Sequence, residues 1–301
     1  GAAWSDIGYI RDAVFLLLAG LLLLLTPESW RSRTRLSLIA IAVFSMPWLL
    51  QGLLGARRGP IFVTAVGVGM AWYLARGRRP SVVLLTAAGA SLGLLMLFLV
   101  TNRSAIYIGS EKEFTTDIGE AVTAAHRANE YIYSAGCINA SDQKGKFYWG
   151  KRYLAQVFVR PIPRQLWPTK YEDTVPELLH NAGSGGGGLM EVMGWEEEPG
   201  AAAAMAADLW VEFFWLAVPV AGFIGWGYGA VWRRAITIGR VWITQYTILV
   251  MLSVYLVTQS MEAVIFRLLI ISIPIHFVWR RAVVSTPPSA LDFRAYHSPL
   301  V

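Results

Sequence analysis

Apolar residues occur along this chain in long uncharged runs that are separated by short polar segments. The runs are Ala13–Thr26, Leu36–Leu54, Pro60–Ala75, Val82–Thr101, Leu209–Trp232, Val241–Thr258 and Met261–Trp279. A helix needs about 20 apolar residues to cross the roughly 30 Å hydrocarbon core of a bilayer. Partly polar residues from Ile7 extend the first run. The pattern predicts an all-α integral membrane protein with about seven transmembrane helices.

One long polar stretch separates the fourth run from the fifth, and a polar tail follows the last run. The chain therefore has four parts. We predict transmembrane helices 1–4 in residues 7–101, a large loop with short helices in residues 102–208, helices 5–7 in residues 209–279, and a tail in residues 280–301. The chain begins with Gly1, and no basic segment precedes the first apolar run. We therefore expect further helices upstream in the complete protein.

Composition supports a membrane protein and argues against several other classes. Hydrophobic residues make up 55% of the chain and charged residues 15%, which is too apolar for an ordinary soluble domain. The only cysteine, Cys137, excludes an internal disulfide and a cysteine-based metal cluster. The net charge of +6 does not indicate nucleic acid, because the arginines sit in short clusters between apolar runs.

The arginine clusters also predict how the chain is oriented in the membrane. They are Arg31–Arg35, Arg76–Arg79, Arg233–Arg240 and Arg280–Arg281, and they follow the first, third, fifth and seventh predicted helices. All therefore lie on one side, which the positive-inside rule assigns to the cytoplasm. The turn Gly55–Gly59, the large loop and the short turn Gln259–Ser260 then lie on the extracytoplasmic side.

Three arginines break this pattern. Arg57 and Arg58 lie in the outer turn, where they suggest a bound phosphate or pyrophosphate, although contact with lipid headgroups is an alternative. Arg267 lies six residues into the last helix, about 9 Å along it. An intramembrane charge usually marks a site, but pairing with Glu262 is a structural alternative.

The first half of the large loop predicts an amphipathic helix. Apolar residues recur at helical spacing between Asp117 and Ala135. His126 and Glu130 stand four residues apart on it, which permits an acid–base or metal pair. A surface pair is the commoner outcome.

A basic, proline-rich segment, Val159–Lys170, follows. Its three prolines argue against a regular helix and predict a fixed extended course. Such a course can hold Arg160, Arg164 and Lys170 near one point, with Trp167 as an apolar or sugar-stacking surface. The alternative is a basic loop lying on anionic headgroups.

The end of the loop carries the candidate bases. The glycine-rich run Gly183–Gly188 predicts a hinge or linker more readily than a phosphate-binding nest. His180 supplies an imidazole near it. The available carboxylates are Glu191, Glu196–Glu198, Asp208 and Glu212.

Together these residues resemble the O-antigen and exopolysaccharide repeat-unit polymerases of the Wzy type. The stretches that carry the resemblance are Gly55–Gly59, Glu130–Tyr133, Tyr148–Gly150, Arg160–Lys170, Asp208–Phe213 and Phe266–Arg267. Arg160–Lys170 is the most specific of them. Members of this family usually have ten or more helices, which agrees with missing N-terminal helices. The long glycine run is a departure from the family.

The resemblance implies a GT-C-like glycosyltransferase that needs no metal or other cofactor. It would act on the outer face of the bacterial cytoplasmic (inner) membrane, as a multi-pass protein. Its substrates would be undecaprenyl-pyrophosphate-linked oligosaccharides, and the growing glycan would pass to the non-reducing end of a new repeat unit, in O-antigen, capsule or exopolysaccharide biosynthesis. Membrane lipid and a chain-length regulator are expected partners, and nucleic acid is not.

Site roles follow from this chemistry, because fixed guanidinium groups can stabilise a departing pyrophosphate without a metal. The predicted pyrophosphate-binding residues are Arg57, Arg58, Arg160, Arg164 and Arg267, with Lys170 in support. Trp167 would contact sugar. His180 and Glu212 are the candidate general bases. Alternatively, Glu212 pairs with an arginine and His180 is a solvated loop residue.

Two other functions compete with polymerisation. An O-antigen ligase-like enzyme would use the same donor but transfer the glycan to a lipid A core or a protein. A polysaccharide or lipid transporter would line its path with Arg267. Transporters generally have short loops and often internal repeats, whereas about a third of this chain is one loop and we find no repeat.

Overall fold

The computed structural model describes residues 14–25, 35–53, 58–76, 80–102, 119, 130–163, 165–174, 203–239 and 241–285. All regular elements in these ranges are helical. The α-helices are α1 (Val14–Leu24), α2 (Arg35–Leu53), α3 (Arg58–Arg76), α4 (Val82–Thr101), α5 (Glu130–Lys144), α6 (Lys151–Leu154), α7 (Lys170–Thr174), α8 (Met205–Phe213), α9 (Ala217–Thr237), α10 (Val241–Thr258) and α11 (Met261–Ser285). A π-helical turn, Ala155–Val159, continues α6, and a 3₁₀ turn, Phe214–Leu216, joins α8 to α9.

Each predicted apolar run contains a helix, so the helical elements are confirmed. The fifth run differs most, because it is divided by the turn at Phe214–Leu216 and its helical part begins earlier, at Met205. The last helix continues past Trp279 to Ser285, into the predicted tail. Two helical stretches, Met205–Thr237 and Ala263–Arg281, are long and apolar enough to cross a membrane, and the other apolar helices are shorter.

Helix α10 occupies the centre of the helical bundle. It packs against α3, α9 and α11, while α1 packs against α2 and α11. Its side chains Ile248, Met251 and Leu252 are fully buried. In contrast, α4 packs against α3, and its residues Val82–Leu85 are largely exposed. The apolar core therefore lies between α10 and its neighbours.

The loop contributes a second packed unit. Helix α5 packs against α8, and α6 with its π-helical turn packs against α11. The predicted amphipathic helix ends later than expected, because α5 continues past Ala135 to Lys144. His126 lies outside the described residues, as does the glycine run.

The described residues of the proline-rich segment, 159–163 and 165–170, form turns, so the expectation of an extended course was wrong. The N–H of Ile162 donates to the carbonyl of Val159, and the N–H of Leu166 donates to that of Pro163. Proline fixes a φ near −65°, which suits turns as well as extended chain. The segment therefore folds back on itself next to α11.

Candidate functional site

Arg267 lies in the second turn of α11 and is held by a polar and two aromatic contacts. Its Nη1 donates to Gln259 Oε1 at 2.6 Å. Its Cζ lies 4.1 Å from the centroid of the Tyr255 ring and 5.4 Å from that of Phe15. Cation–π attraction draws the guanidinium to the faces of these rings, so the contacts fix where its charge lies.

The start of α3 adjoins the same tyrosine. A Cβ on Gly59 would lie 2.6 Å from Tyr255 Oη, closer than side-chain atoms normally approach. A larger residue at this position would therefore require the Tyr255 ring to shift. Arg58 is the first residue of α3 and precedes Gly59, although its side chain lies outside the described part of the chain.

Arg160 reaches the same region from the loop. It follows the π-helical turn, and its Cζ lies 4.4 Å from the ring centroid of Phe266. Phe266 and Arg267 are consecutive, so segments more than a hundred residues apart meet at the second turn of α11. We call this region, formed by Gly59, Arg160, Tyr255, Phe266 and Arg267, the bundle mouth.

Lys170 binds the backbone of the loop and does not face an open surface. Its side chain is buried, and its Nζ donates to the carbonyl oxygens of Val159, Arg160 and Ile162. These contacts engage an ammonium that has three N–H donors. We had expected Lys170 to support pyrophosphate binding directly. The geometry instead gives it the task of fixing the turn that carries Arg160.

Trp167 is oriented by one carboxylate. Its Nε1–H donates to Asp173 Oδ2 at 2.7 Å, and the Thr169 hydroxyl donates to the same oxygen at 2.8 Å. The hydrogen bond from Trp167, followed by that from Thr169, lowers the pKa of Asp173 from its ordinary value. The hydrogen bond to Asp173 fixes the edge of the indole. Its flat face is thereby held in one orientation, which suits stacking against a sugar ring.

The strongest polar cluster in the described residues surrounds Arg152. Its Nε donates to Glu212 Oε1 at 2.5 Å, and its Nη2 donates to Asp208 Oδ1. Both carboxylates are fully buried. We call Arg152, Asp208 and Glu212 the anchor triad, because it ties the loop to α8.

Asp208 extends the anchor triad to α11. Its Oδ2 accepts the backbone N–H of Met261 and the hydroxyl of Tyr153, each at 2.8 Å. Burial, and then the nearby Asp208 carboxylate, raise the pKa of Tyr153, so its phenol stays protonated and can donate. One carboxylate thus joins the loop, α8 and the first residue of α11.

Backbone groups complete the junction at the end of α8. The N–H groups of Tyr148 and Trp149 donate to the carbonyls of Val211 and Glu212 at 3.1 and 2.7 Å. Helix ends leave such carbonyls without helical partners, so the loop caps α8. The cap requires positive φ values of 54° at Trp149 and 80° at Gly150, and α8 stops where Phe214 has φ 52°.

This geometry favours the structural alternative for Glu212. Besides the contact with Arg152, its Oε2 accepts the N–H of Gly150 at 2.7 Å. Both oxygens of a buried carboxylate are thus engaged, which does not suit a group that must reach a substrate hydroxyl. The other candidate base, His180, lies outside the described residues, as do Arg57 and Arg164.

Sequence reasoning missed the role of Arg152, although one signal was available. Asp208 and Glu212 stand four residues apart and therefore share a face of α8. Two carboxylates on one buried face need a cation. Among the residues that the structure describes, no group of three or more His, Cys, Asp and Glu side chains could hold a metal ion.

Comparison of the chain with protein-family models, characterised proteins and solved structures finds no match.

Proposed function

We propose that this protein is a membrane-embedded glycosyltransferase that polymerises lipid-linked oligosaccharide repeat units. The observation that carries the proposal is the bundle mouth, where Arg160 contacts Phe266, the residue of α11 that precedes Arg267. The growing glycan would pass from undecaprenyl pyrophosphate to the non-reducing end of a second lipid-linked unit. The resemblance to the Wzy-type polymerases supplies this substrate class.

The membrane placement belongs to the same proposal. Helices α1–α4 and α9–α11 would be the seven spans, with the bundle mouth on the extracytoplasmic side. The arginine clusters at the opposite helix ends support this orientation through the positive-inside rule. The exposed apolar surface of α4 and α9 suits contact with lipid tails.

The reaction requires mainly that the protein supply positive charge and hold the two substrates in position. The bond between the anomeric carbon and a pyrophosphate oxygen breaks, and a bond from that carbon to the acceptor hydroxyl oxygen forms. The leaving pyrophosphate takes the electron pair, and the hydroxyl proton goes to a base, for which His180 is our candidate. Fixed guanidinium groups lower the energy of the charge that develops on the leaving group.

The contacts of the two arginines suit this role. Stacking on Phe266 or Tyr255 uses the face of the guanidinium, whereas phosphate recognition uses its edge. One side chain can therefore be oriented by a ring and bind an anion at the same time. Trp167 would support an adjacent sugar, and Lys170 would hold the turn that carries Arg160.

The test is the glycan profile of a deletion strain with and without the full-length protein. Single capped repeat units without it, and a ladder of longer chains with it, would support polymerisation. If the deletion instead leaves long chains on the lipid carrier that never reach lipid A core, the protein is a ligase. Unchanged glycans, with lipid-linked units retained on the cytoplasmic side, would favour transport.

A further inference from the structure

The loop carries apolar side chains that point away from the protein. In α6 and the π-helical turn, Leu154 is 57% exposed and Phe158 is 68% exposed, and beyond the turn Leu166 is 78% exposed. Leu154 and Phe158 are four residues apart, so they share a face of this short helical segment. Removal of apolar surface from water is favourable, so such exposure is unfavourable in water.

The opposite face of the same segment is fixed to the protein. Arg152 joins the anchor triad, Tyr153 bonds Asp208, and Ala155 is buried. The π-helical turn also packs against α11. The exposed face therefore has a defined direction, because the segment is fixed on its other side and cannot rotate to bury these side chains.

An aromatic chain connects this segment with the start of α9. Ring centroids of Phe147 and Phe214 lie 4.7 Å apart, and those of Phe214 and Trp215 lie 5.8 Å apart. Phe147 also contacts Trp149, which is 57% exposed, and Trp215 is 66% exposed. Tryptophan is enriched where membrane helices meet the headgroups. The exposed Trp149, two residues before α6, is thus linked by ring contacts to the exposed Trp215 within a candidate membrane span.

We infer that the segment Trp149–Leu166 is an interfacial anchor, whose side chains Leu154, Phe158 and Leu166 insert into the outer leaflet of the bilayer. The inference rests on the membrane placement in the proposed function. Lipid is favoured over a protein partner because ring contacts link the start of the segment to Trp215 beside α9, and because the exposed Lys151 suits anionic headgroups. Insertion would hold Arg160 near the depth of lipid-linked pyrophosphates.

Site-directed spin labelling tests this placement. The single cysteine is first removed as Cys137→Ala, and Leu154→Cys, Phe158→Cys and Leu166→Cys are labelled one at a time. The full chain is reconstituted in phosphatidylcholine and phosphatidylglycerol vesicles. Label accessibility to oxygen, which concentrates in lipid, is compared with that to a water-soluble nickel chelate.

Two control positions separate the possible results. Phe223→Cys on the exposed face of α9 tests the membrane placement itself. Gln143→Cys, at an exposed position of α5, gives the values expected for a label in water. We expect the three anchor positions to resemble Phe223, with an oxygen-to-nickel ratio several-fold above that of Gln143. If they resemble Gln143 while Phe223 is lipid-accessible, the anchor is refuted and the membrane placement stands. If Phe223 is itself water-accessible, both fail.

Discussion

The anchor triad and the bundle mouth both depend on arginine, but they hold it in different ways. In the triad, the edge of the Arg152 guanidinium meets the carboxylates of Asp208 and Glu212. At the mouth, the guanidinium groups of Arg160 and Arg267 lie over aromatic rings. Arg152 also lies over the Tyr148 ring, and Arg267 also donates a hydrogen bond to Gln259. The difference is that the edge of Arg152 meets two buried carboxylates, whereas the edge of Arg267 meets the neutral side-chain amide of Gln259.

The difference separates a structural arginine from a candidate functional one. In a buried ionic cluster of this kind each residue depends on the others, because removal of one leaves an uncompensated charge. The ring contacts of Arg160 and Arg267 can remain in place when an anion binds the guanidinium, whereas an anion at Arg152 would compete with two buried carboxylates. We therefore expect substitutions in the triad to change stability and those at the mouth to change activity.

The largest effect should come from Arg152→Met. One guanidinium faces two fully buried carboxylates, and breaking such a cluster typically costs about 3–5 kcal/mol. Cys137 is the only cysteine and is buried in α5, which packs against α8, so a thiol-reactive dye reports unfolding there. The dye should react at a much lower temperature in the variant than in the parent, in detergent.

Lys151→Met is the matched control for that experiment. Lys151 is the neighbouring cation, and it is exposed. Its removal should leave the unfolding temperature almost unchanged. Equal unfolding temperatures for the two variants would show that the triad is not an anchor.

Arg267→Lys and Arg160→Lys should mainly reduce activity. Lysine keeps the charge but lacks the planar fork, and loss of a donor to developing charge costs on the order of 10²–10³ in rate, about 3–4 kcal/mol. The long-chain ladder should disappear while expression and the dye-reported unfolding temperature stay close to those of the parent. We expect the same of Arg57, Arg58 and Arg164.

Arg281 provides a control for the stacking itself. Its guanidinium lies 4.8 Å from the ring centroid of Phe277, near the other end of α11. Arg281→Lys should leave the ladder intact. Normal ladders from Arg160→Lys and Arg267→Lys at matched expression would refute a shared pyrophosphate site.

A smaller effect is expected for Gly59→Ala. The new Cβ would displace the Tyr255 ring on which Arg267 rests, and overpacking of this kind typically costs about 1–3 kcal/mol. Activity should fall with a modest loss of stability. Gly69→Ala lies on the same helix with nothing within 4 Å, and it should be neutral. If the two variants have the same activity and stability, the contact between Gly59 and Tyr255 does not contribute to the site.

The smallest effect should come from Asp173→Ala, which frees the edge of Trp167. We expect a raised KM for the lipid-linked acceptor in a reconstituted assay, with little change in kcat. Asp142→Ala is the control, because Asp142 also accepts an indole N–H, that of Trp210, at 2.9 Å. A change of the same size in both variants would remove Trp167 from sugar binding.

The Asp173 contact also has a defined dependence on pH. Its pKa is lowered in the folded protein, so the contribution to stability is complete above the ordinary value of 3.8. That contribution is lost as the pH falls through the lower, folded value. No change in KM from this group is therefore expected around neutral pH.

Sequence patterns predicted the helices well because uncharged apolar runs leave few alternatives. The break at Phe214 had no comparable signal, because residues other than glycine seldom adopt a positive φ. The partner of Glu212 was equally hidden. Arg152 is 60 residues away along the chain, and several carboxylates of the loop were equivalent candidates for it.

The roles of the basic loop residues could be predicted only in part. The sequence predicted that an extended segment can hold Arg160 and Lys170 near one point. The Lys170 ammonium instead donates to the backbone carbonyl of Arg160, and this contact does not place the two charged groups together. Pattern alone does not reveal that this lysine points inwards, because burial depends on how the turns fold. The pyrophosphate site itself stays a prediction.

The contrast between α4 and α10 has a consequence for how the sequence can drift over evolution. Side chains of α10 such as Ile248 and Met251 are completely enclosed, so shape and volume restrict what can replace them. On α4, Val82 and Val83 are almost fully exposed. Selection there should preserve average hydrophobicity rather than residue identity, and homologous chains should diverge fastest along α4 while remaining apolar throughout.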